Sequence, residues 1–238
     1  MTIIWIRHGF KQYKNGKNPE GTFQYDPGLR PGHEYAFDSI RLNLVHEYGP
    51  PTMVISSPYQ RTMETARGLA LSSHIMREPL VCEFLGHQKP GTEDLRPSTI
   101  MEGLSSYRES FKELRKRCRE HVTKIQETTL PGEVVWCITH GLVMKYIMKV
   151  LHEEEKNFSF DRDISFHELD FVVLSQNNVD HYPSFLKEDV LHRMDCYSDY
   201  RDRHFVSGDL ATDTETKTTI SGSSTGSTEL LECVSISS

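Results

Sequence analysis

The chain has 238 residues, 37% of them hydrophobic, enough to bury one sizeable core. Its formal net charge of −7 disfavours nucleic acid as a partner, and no run approaches the roughly 20 apolar residues that cross a bilayer. Five scattered cysteines, odd in number and without CxxC spacing, argue for reduced thiols rather than a disulfide framework or a zinc site. No basic segment precedes the first apolar run to mark a signal peptide, so the expected setting is the cytoplasm, with no membrane partner.

In chain order, Ile3-Ile4-Trp5-Ile6 reads as a buried strand that ends in Arg7-His8-Gly9. A polar loop from Lys11 to Gly32 follows, then a helix over residues 34–47, broken by Gly49-Pro50-Pro51. Met53-Val54-Ile55-Ser56-Ser57 predicts a second strand, stopped by Pro58, whose missing N–H suits a helix start. Residues 59–70 then read as a helix with Arg61 in its first turn. Residues 80–84 predict the third strand, and residues 86–97 an irregular segment leading to a long amphipathic helix over 104–127. Leu130-Pro131-Gly132 turns the chain into Val134-Val135-Trp136-Cys137-Ile138, a strand that ends in Thr139-His140-Gly141. Residues 142–151 predict the next helix and 166–174 the last strand, with Gln176-Asn177-Asn178 as a hairpin turn. Such alternation implies a three-layer α/β sandwich, a mostly parallel central sheet with helices on both faces.

Two apolar strands thus each deliver a histidine to their end, followed by glycine. Parallel strands in open α/β sheets present ligand sites at their carboxyl ends. The planar fork of an arginine beside two imidazoles suits a phosphate, and a neutral imidazole is a competent nucleophile toward phosphorus.

Arg7-His8-Gly9, Ser57-Pro58 with Arg61 and Glu64-Thr65-Ala66, and Thr139-His140-Gly141 stand in the order of the motifs of the histidine phosphatase superfamily, also called phosphoglycerate mutase-like. The chain resembles that family over residues 2–176. Asp26-Pro27-Gly28-Leu29 with Gly32 is similar to its Asp-Pro-x-Leu-(Thr)-x-x-Gly stretch, with Arg30 in place of the usual threonine. The resemblance implies a phosphatase of the histidine acid phosphatase type, hydrolysing phosphomonoesters through a phosphohistidine on His8. Arg7, Arg61 and His140 would form the phosphate pocket, with no metal and no cofactor. The segment Glu78-Pro79-Leu80-Val81-Cys82-Glu83-Phe84 resembles one in the branch that includes the ubiquitin-associated and SH3-domain phosphatases. That makes Glu83 the candidate proton donor to the leaving oxygen, with Glu93 and Glu102 behind it.

The chain departs from the family pattern after Arg7-His8-Gly9, where many members carry an acidic residue and this one has Phe10, Lys11 and Gln12. Residues 86–97 do not resemble the long insertion of the mutases, which favours hydrolysis over mutase-type phosphotransfer. The expected substrate is a phosphorylated small molecule or a phosphoprotein. A second class of reading is a catalytically weak member that binds phospho-ligands or partner proteins. Retention of Arg7, His8, Arg61 and His140 favours the enzyme.

Other features have plainer readings. Arg115-Lys116-Arg117-Cys118-Arg119 reads as a solvated helix face with Glu109, Glu113 and Glu120 nearby to pair with it. Arg67 reads as a helix-face residue, and His33, His46, His87 and His121 as structural or exposed. Ser56 and Ser57 lack a GxSxG elbow. From Ser207 onward the chain is rich in Ser and Thr, with five acidic residues against Lys217 alone and no aromatic. The expected organisation is a catalytic domain over residues 1–206 and a disordered acidic tail over 207–238, with residues 182–205 ambiguous.

Overall fold

Both faces of the first strand are buried, as the apolar run requires. The computed structural model describes residues 1–12, 26–71, 74–84, 109–154, 165–175 and 178–182. Six strands form one sheet: β1 (Thr2–Arg7), β2 (Met53–Ser56), β3 (Met76–Arg77), β4 (Val134–Thr139), β5 (Phe171–Ser175) and β6 (Asn178–Tyr182). Their order is β3-β2-β4-β1-β5-β6. The pairs β1–β4, β4–β2 and β2–β3 are parallel, while β5 runs antiparallel to both β1 and β6. The sheet is mostly parallel, with an antiparallel hairpin at one edge.

Alternation along β1 assigns the layers. Ile4 and Ile6 pack with Phe37, Ile40 and Leu44 of α1 (Glu34–Tyr48) and Leu69 of α2 (Gln60–Ala70). Ile3 and Trp5 pack on the opposite face with Leu114, Cys118 and Val122 of α3 (Phe111–Thr128) and with Val143 and Ile147 of α4 (Gly141–Glu154). The helices α1 and α2 approach closely because residue 68 is glycine; a Cβ there would overlap the Phe37 ring. The turn into β4 closes through Glu133 N–H donating to Leu130 O at 3.1 Å. Pro131 and Gly132, the latter at φ 86°, supply the two central residues of a type II turn.

Three boundaries differ from expectation. The third strand lies at Met76–Arg77, before the residues expected to form it. Pro79 has no N–H for a ladder, the Glu78 side chain accepts from Leu80 N, and Pro79–Val81 coils into a 3-10 turn instead. The long helix starts at Phe111, because Ser110 and Glu113 form a reciprocal capping box. The expected strand over 166–174 begins only at Phe171: Asp170 accepts from His167 N–H at 2.5 Å, and Leu169 takes a φ of 66°. Asn178 opens β6, so β5 is not the last strand.

Cys82, Cys118 and Cys137 are buried free thiols. No helix among the described residues is long and apolar enough to cross a membrane. Residues 86–97 with Glu93 and Glu102, the expected helix start at 104–108, residues 183–205 and the tail from Ser207 lie outside the described residues.

Candidate active site

The sheet brings the two histidines together by register. Arg7 pairs with Thr139 at the carboxyl ends of β1 and β4, and His8 N–H donates to Thr139 O at 2.9 Å. Ser57, just past β2, donates its N–H to Ile138 O at 3.0 Å. Three parallel strands thus end side by side, with His8, His140 and Ser57 at their tips. The imidazole centroids of His8 and His140 lie 5.3 Å apart in an edge-on arrangement.

Each histidine is held by a specific contact. His8 Nδ1 lies 2.7 Å from Gly9 O. A carbonyl only accepts, so the proton sits on Nδ1 and the Nε2 lone pair is left available. Burial, together with the positive charge of Arg61, holds the His8 pKa well below its ordinary value, so the ring is neutral at neutral pH. His140 Nε2 is 2.9 Å from Ser57 Oγ, and burial lowers its pKa to about 4 against the opposing pull of Glu83.

Arg61 enters from the first turn of α2, with the Tyr59 ring 4.5 Å beneath its guanidinium. Its Nη1 donates to Asp26 Oδ1 at 3.1 Å. Asp26 Oδ2 accepts from Gln60 N–H at 2.8 Å, so one carboxylate both caps the helix and aims the arginine. Glu64 Oε2 accepts from Leu29 N–H at 2.7 Å, strapping the Asp26–Leu29 stretch to α2. Thr65 Oγ1 accepts from Gly9 N–H at 2.9 Å and ties the helix to the loop that carries His8. These contacts give a physical role to Asp26, Glu64 and Thr65, which the sequence reading placed only by motif.

Arg7 donates to Phe166 O and, at 3.0 Å, to Glu168 Oε1. The Nε–H groups of Arg7 and Arg61 are buried with no acceptor among the described residues.

Glu83 also reaches this point. Its Oε2 lies 3.3 Å from Arg61 Nη2 and 3.3 Å from His140 Nδ1, while 35% of its side-chain surface stays open. Burial raises its pKa, but His140, Arg61 and His8 outweigh that and hold the carboxyl well below the ordinary range. With no ligand present, Glu83 is ionised. Ligating atoms of His8, Glu83 and His140 all lie within 4.8 Å of one another. Two neutral imidazoles and a carboxylate are a donor set that a divalent cation could use, although the Arg61 charge 3.3 Å away opposes one. Local spacing could not reveal this cluster, because its members come from three distant segments.

Sequence reasoning missed Arg117. Expected on a solvated face, it is buried instead, donating to both oxygens of Glu109, to Leu80 O at 2.7 Å and to Glu83 O at 3.3 Å. Thr139 Oγ1 donates to Val81 O at 2.7 Å. The segment carrying Glu83 is therefore anchored from α3 and from the residue before His140. Arg115 and Arg119 do keep exposed sites, both paired with Glu153 of α4. His121 is structural, as expected: its Nε2 accepts from Trp5 Nε1–H at 3.1 Å.

The family model of the histidine phosphatase superfamily (branch 1) matches residues 3–179. The chain belongs to that superfamily. A search of curated proteins finds no match. Among solved structures, an Entamoeba histolytica phosphoserine phosphatase mutant bound to phosphoserine aligns at a TM-score of 0.53 and 16% identity, over 78% of this chain and 99% of its own. The mycobacterial glucosyl-3-phosphoglycerate phosphatase complexed with VO3 aligns at 0.54 and 17%, over 76% and 98%. Bacillus stearothermophilus YhfR aligns at 0.52 and 16%, over 79% and 98%. At such identities these likenesses show the fold.

Proposed function

We propose that this member of the superfamily is a phosphomonoesterase that works through a phosphohistidine on His8. The observation that carries the reading is the fixed tautomer of a neutral, buried His8, with Nδ1 donating to Gly9 O at 2.7 Å and Nε2 unprotonated among His140, Arg61 and Glu83. The phosphoryl group is held by Arg7, Arg61 and His140, whose donors meet the charge spread over its oxygens. The Nε2–P bond forms as the P–O bond to the alcohol breaks, and Glu83 gives its proton to the leaving oxygen. In the second half, water attacks phosphorus, the P–N bond breaks and Glu83 recovers a proton.

Glu83 must be protonated for the first half, and ligand binding supplies the reason. An arriving phosphate brings like charge beside the carboxylate and engages Arg61 and His140, the groups that hold its pKa down. Both changes raise the pKa of Glu83, and the same anion raises that of His140. The known substrates of the fold neighbours, phosphoserine and glucosyl-3-phosphoglycerate, are phosphomonoesters and are compatible with this chemistry.

Hydrolysis of p-nitrophenyl phosphate across pH, with vanadate as competitor, tests the reading. Turnover that vanadate inhibits competitively is expected. Tight vanadate or phosphate binding without turnover would replace the phosphatase with a phospho-ligand binding module.

A further inference from the structure

Beside the phosphate clamp opens a cavity of about 450 Å³ lined by Arg7, Phe10, Lys11, Arg30 and Glu168. Three of those five side chains are cationic and one is anionic, so the cavity is built for negative charge. Its position follows from the backbone. Lys11 bridges Leu29 in antiparallel fashion, Gln12 N–H donates to Gly28 O at 2.9 Å and Arg30 N–H donates to Phe10 O at 3.0 Å. That short ladder sets Lys11 opposite Leu29 and Arg30 opposite Phe10, and both cations line the cavity. Phe10 and Arg30 are positions where the chain departs from its family's pattern.

The lining charges are not equivalent. Glu168 is engaged by Arg7 at 3.0 Å, which draws its carboxylate to one wall. The Arg30 guanidinium is steadied 4.8 Å over the Phe10 ring. The Lys11 ammonium makes no ion pair among the described residues. Burial and the field of Arg61 push its pKa down, against the opposing pull of Glu83 and Glu168.

We propose that this cavity is a subsite for a second anionic group, a carboxylate or a second phosphate, on the alcohol part of the substrate, held by Lys11 and Arg30. Phe10 gives the carbon atoms between the two anions an apolar wall. The inference rests on reading Arg7, Arg61 and His140 as the phosphate pocket. It narrows the substrate class to phosphomonoesters carrying a further negative charge a few bonds away.

Ligands that cannot be hydrolysed separate this claim from catalysis. Calorimetric titration of the full chain compares propylphosphonate, 3-phosphonopropionate and a propane-1,3-bisphosphonate at low salt. The two ligands with a second anion are expected to bind at least tenfold more tightly than propylphosphonate. Lys11→Met should cut that preference at least fivefold, Lys11→Arg should keep it, and added salt should narrow it. Which dianionic ligand gains more identifies the anion. Equal binding of all three ligands, or a preference unchanged in a folded Lys11→Met protein, overturns the subsite. A failure to hydrolyse p-nitrophenyl phosphate would overturn the catalytic reading instead and leave the phosphonate preference readable.

Discussion

His8 and His140 arrive just past the last rung of two neighbouring parallel strands, whereas Glu83 arrives on a stretch with no ladder of its own. The first pair is positioned by backbone hydrogen bonds and by two fully covered sheet faces. Glu83 is positioned by side chains: Arg117 holds Leu80 O and Glu83 O, and Thr139 holds Val81 O. The difference separates two kinds of precision. A sheet fixes its residues through cooperative pairing that no single side chain controls. An irregular segment depends on a few polar anchors, and losing one moves the functional group without unmaking the fold.

The ladder-and-helix half should show the largest losses of turnover. Arg61→Lys keeps a positive charge but loses the fork that meets Asp26 and Glu83 together and that, on the proposed function, also holds the phosphate. We expect kcat/KM to fall about 10²–10³-fold, equivalent to roughly 2.7–4 kcal/mol of transition-state stabilisation. Wild-type kinetics in Arg61→Lys would remove Arg61 from the pocket.

The anchored segment should fail more selectively. Glu83→Gln is expected to slow alkyl phosphates by about 10²-fold and to spare p-nitrophenyl phosphate, whose leaving group hardly needs a proton. Equal losses on both would make Glu83 an electrostatic partner of Arg61 and not an acid. Arg117→Met sharpens the comparison, because it touches no substrate yet holds the Glu83 backbone. It should reproduce the same leaving-group pattern at about tenfold, a signature that general destabilisation would not produce. Breaking the buried Arg117–Glu109 ion pair would also cost about 3–5 kcal/mol. The double variant with Glu109→Gln should recover stability but not the alkyl phosphate activity.

The smallest effect concerns stability against pH. Burial lowers both His121 and His140 to about 4, from about 6.5 in an unfolded chain. Between those values the unfolded state binds more protons than the folded one, so stability falls as pH drops from about 6.5 toward 4. Each histidine contributes a slope of up to about 1.4 kcal/mol per pH unit. Urea unfolding at pH 7, 6 and 5 should show the decline, and His121→Gln should reduce it while keeping an acceptor for Trp5. A flat profile would mean that His121 and His140 both take up a proton in the folded state as readily as in the unfolded chain.

The same contrast explains what the sequence could and could not reveal. Residues on covered strands and at helix starts were legible: Arg7, His8, Arg61 and His140 lie where period, proline and glycine placed them. The strand over 80–84 was misplaced because β-rich composition outweighed Pro79, which diverts the backbone into a 3-10 turn. The strand expected from Phe166 was cut short by a side-chain bond from Asp170, invisible to alternation. Arg117 was hidden in a charged run, since only tertiary contacts show which arginine of three turns inward. Nor does local spacing show that Asp26 reaches α2 to cap Gln60 and aim Arg61.

Trapping the covalent intermediate tests the central claim most directly. A brief reaction with radioactive phosphorylated substrate, quenched in alkali, should leave acid-labile phosphate on the protein, located by peptide mapping on His8. His8→Ala should fold, because the residue sits at a strand tip, and should carry no label. Label that persists in His8→Ala, or turnover by wild type with no labelled histidine under any quench, would contradict a phosphohistidine on His8.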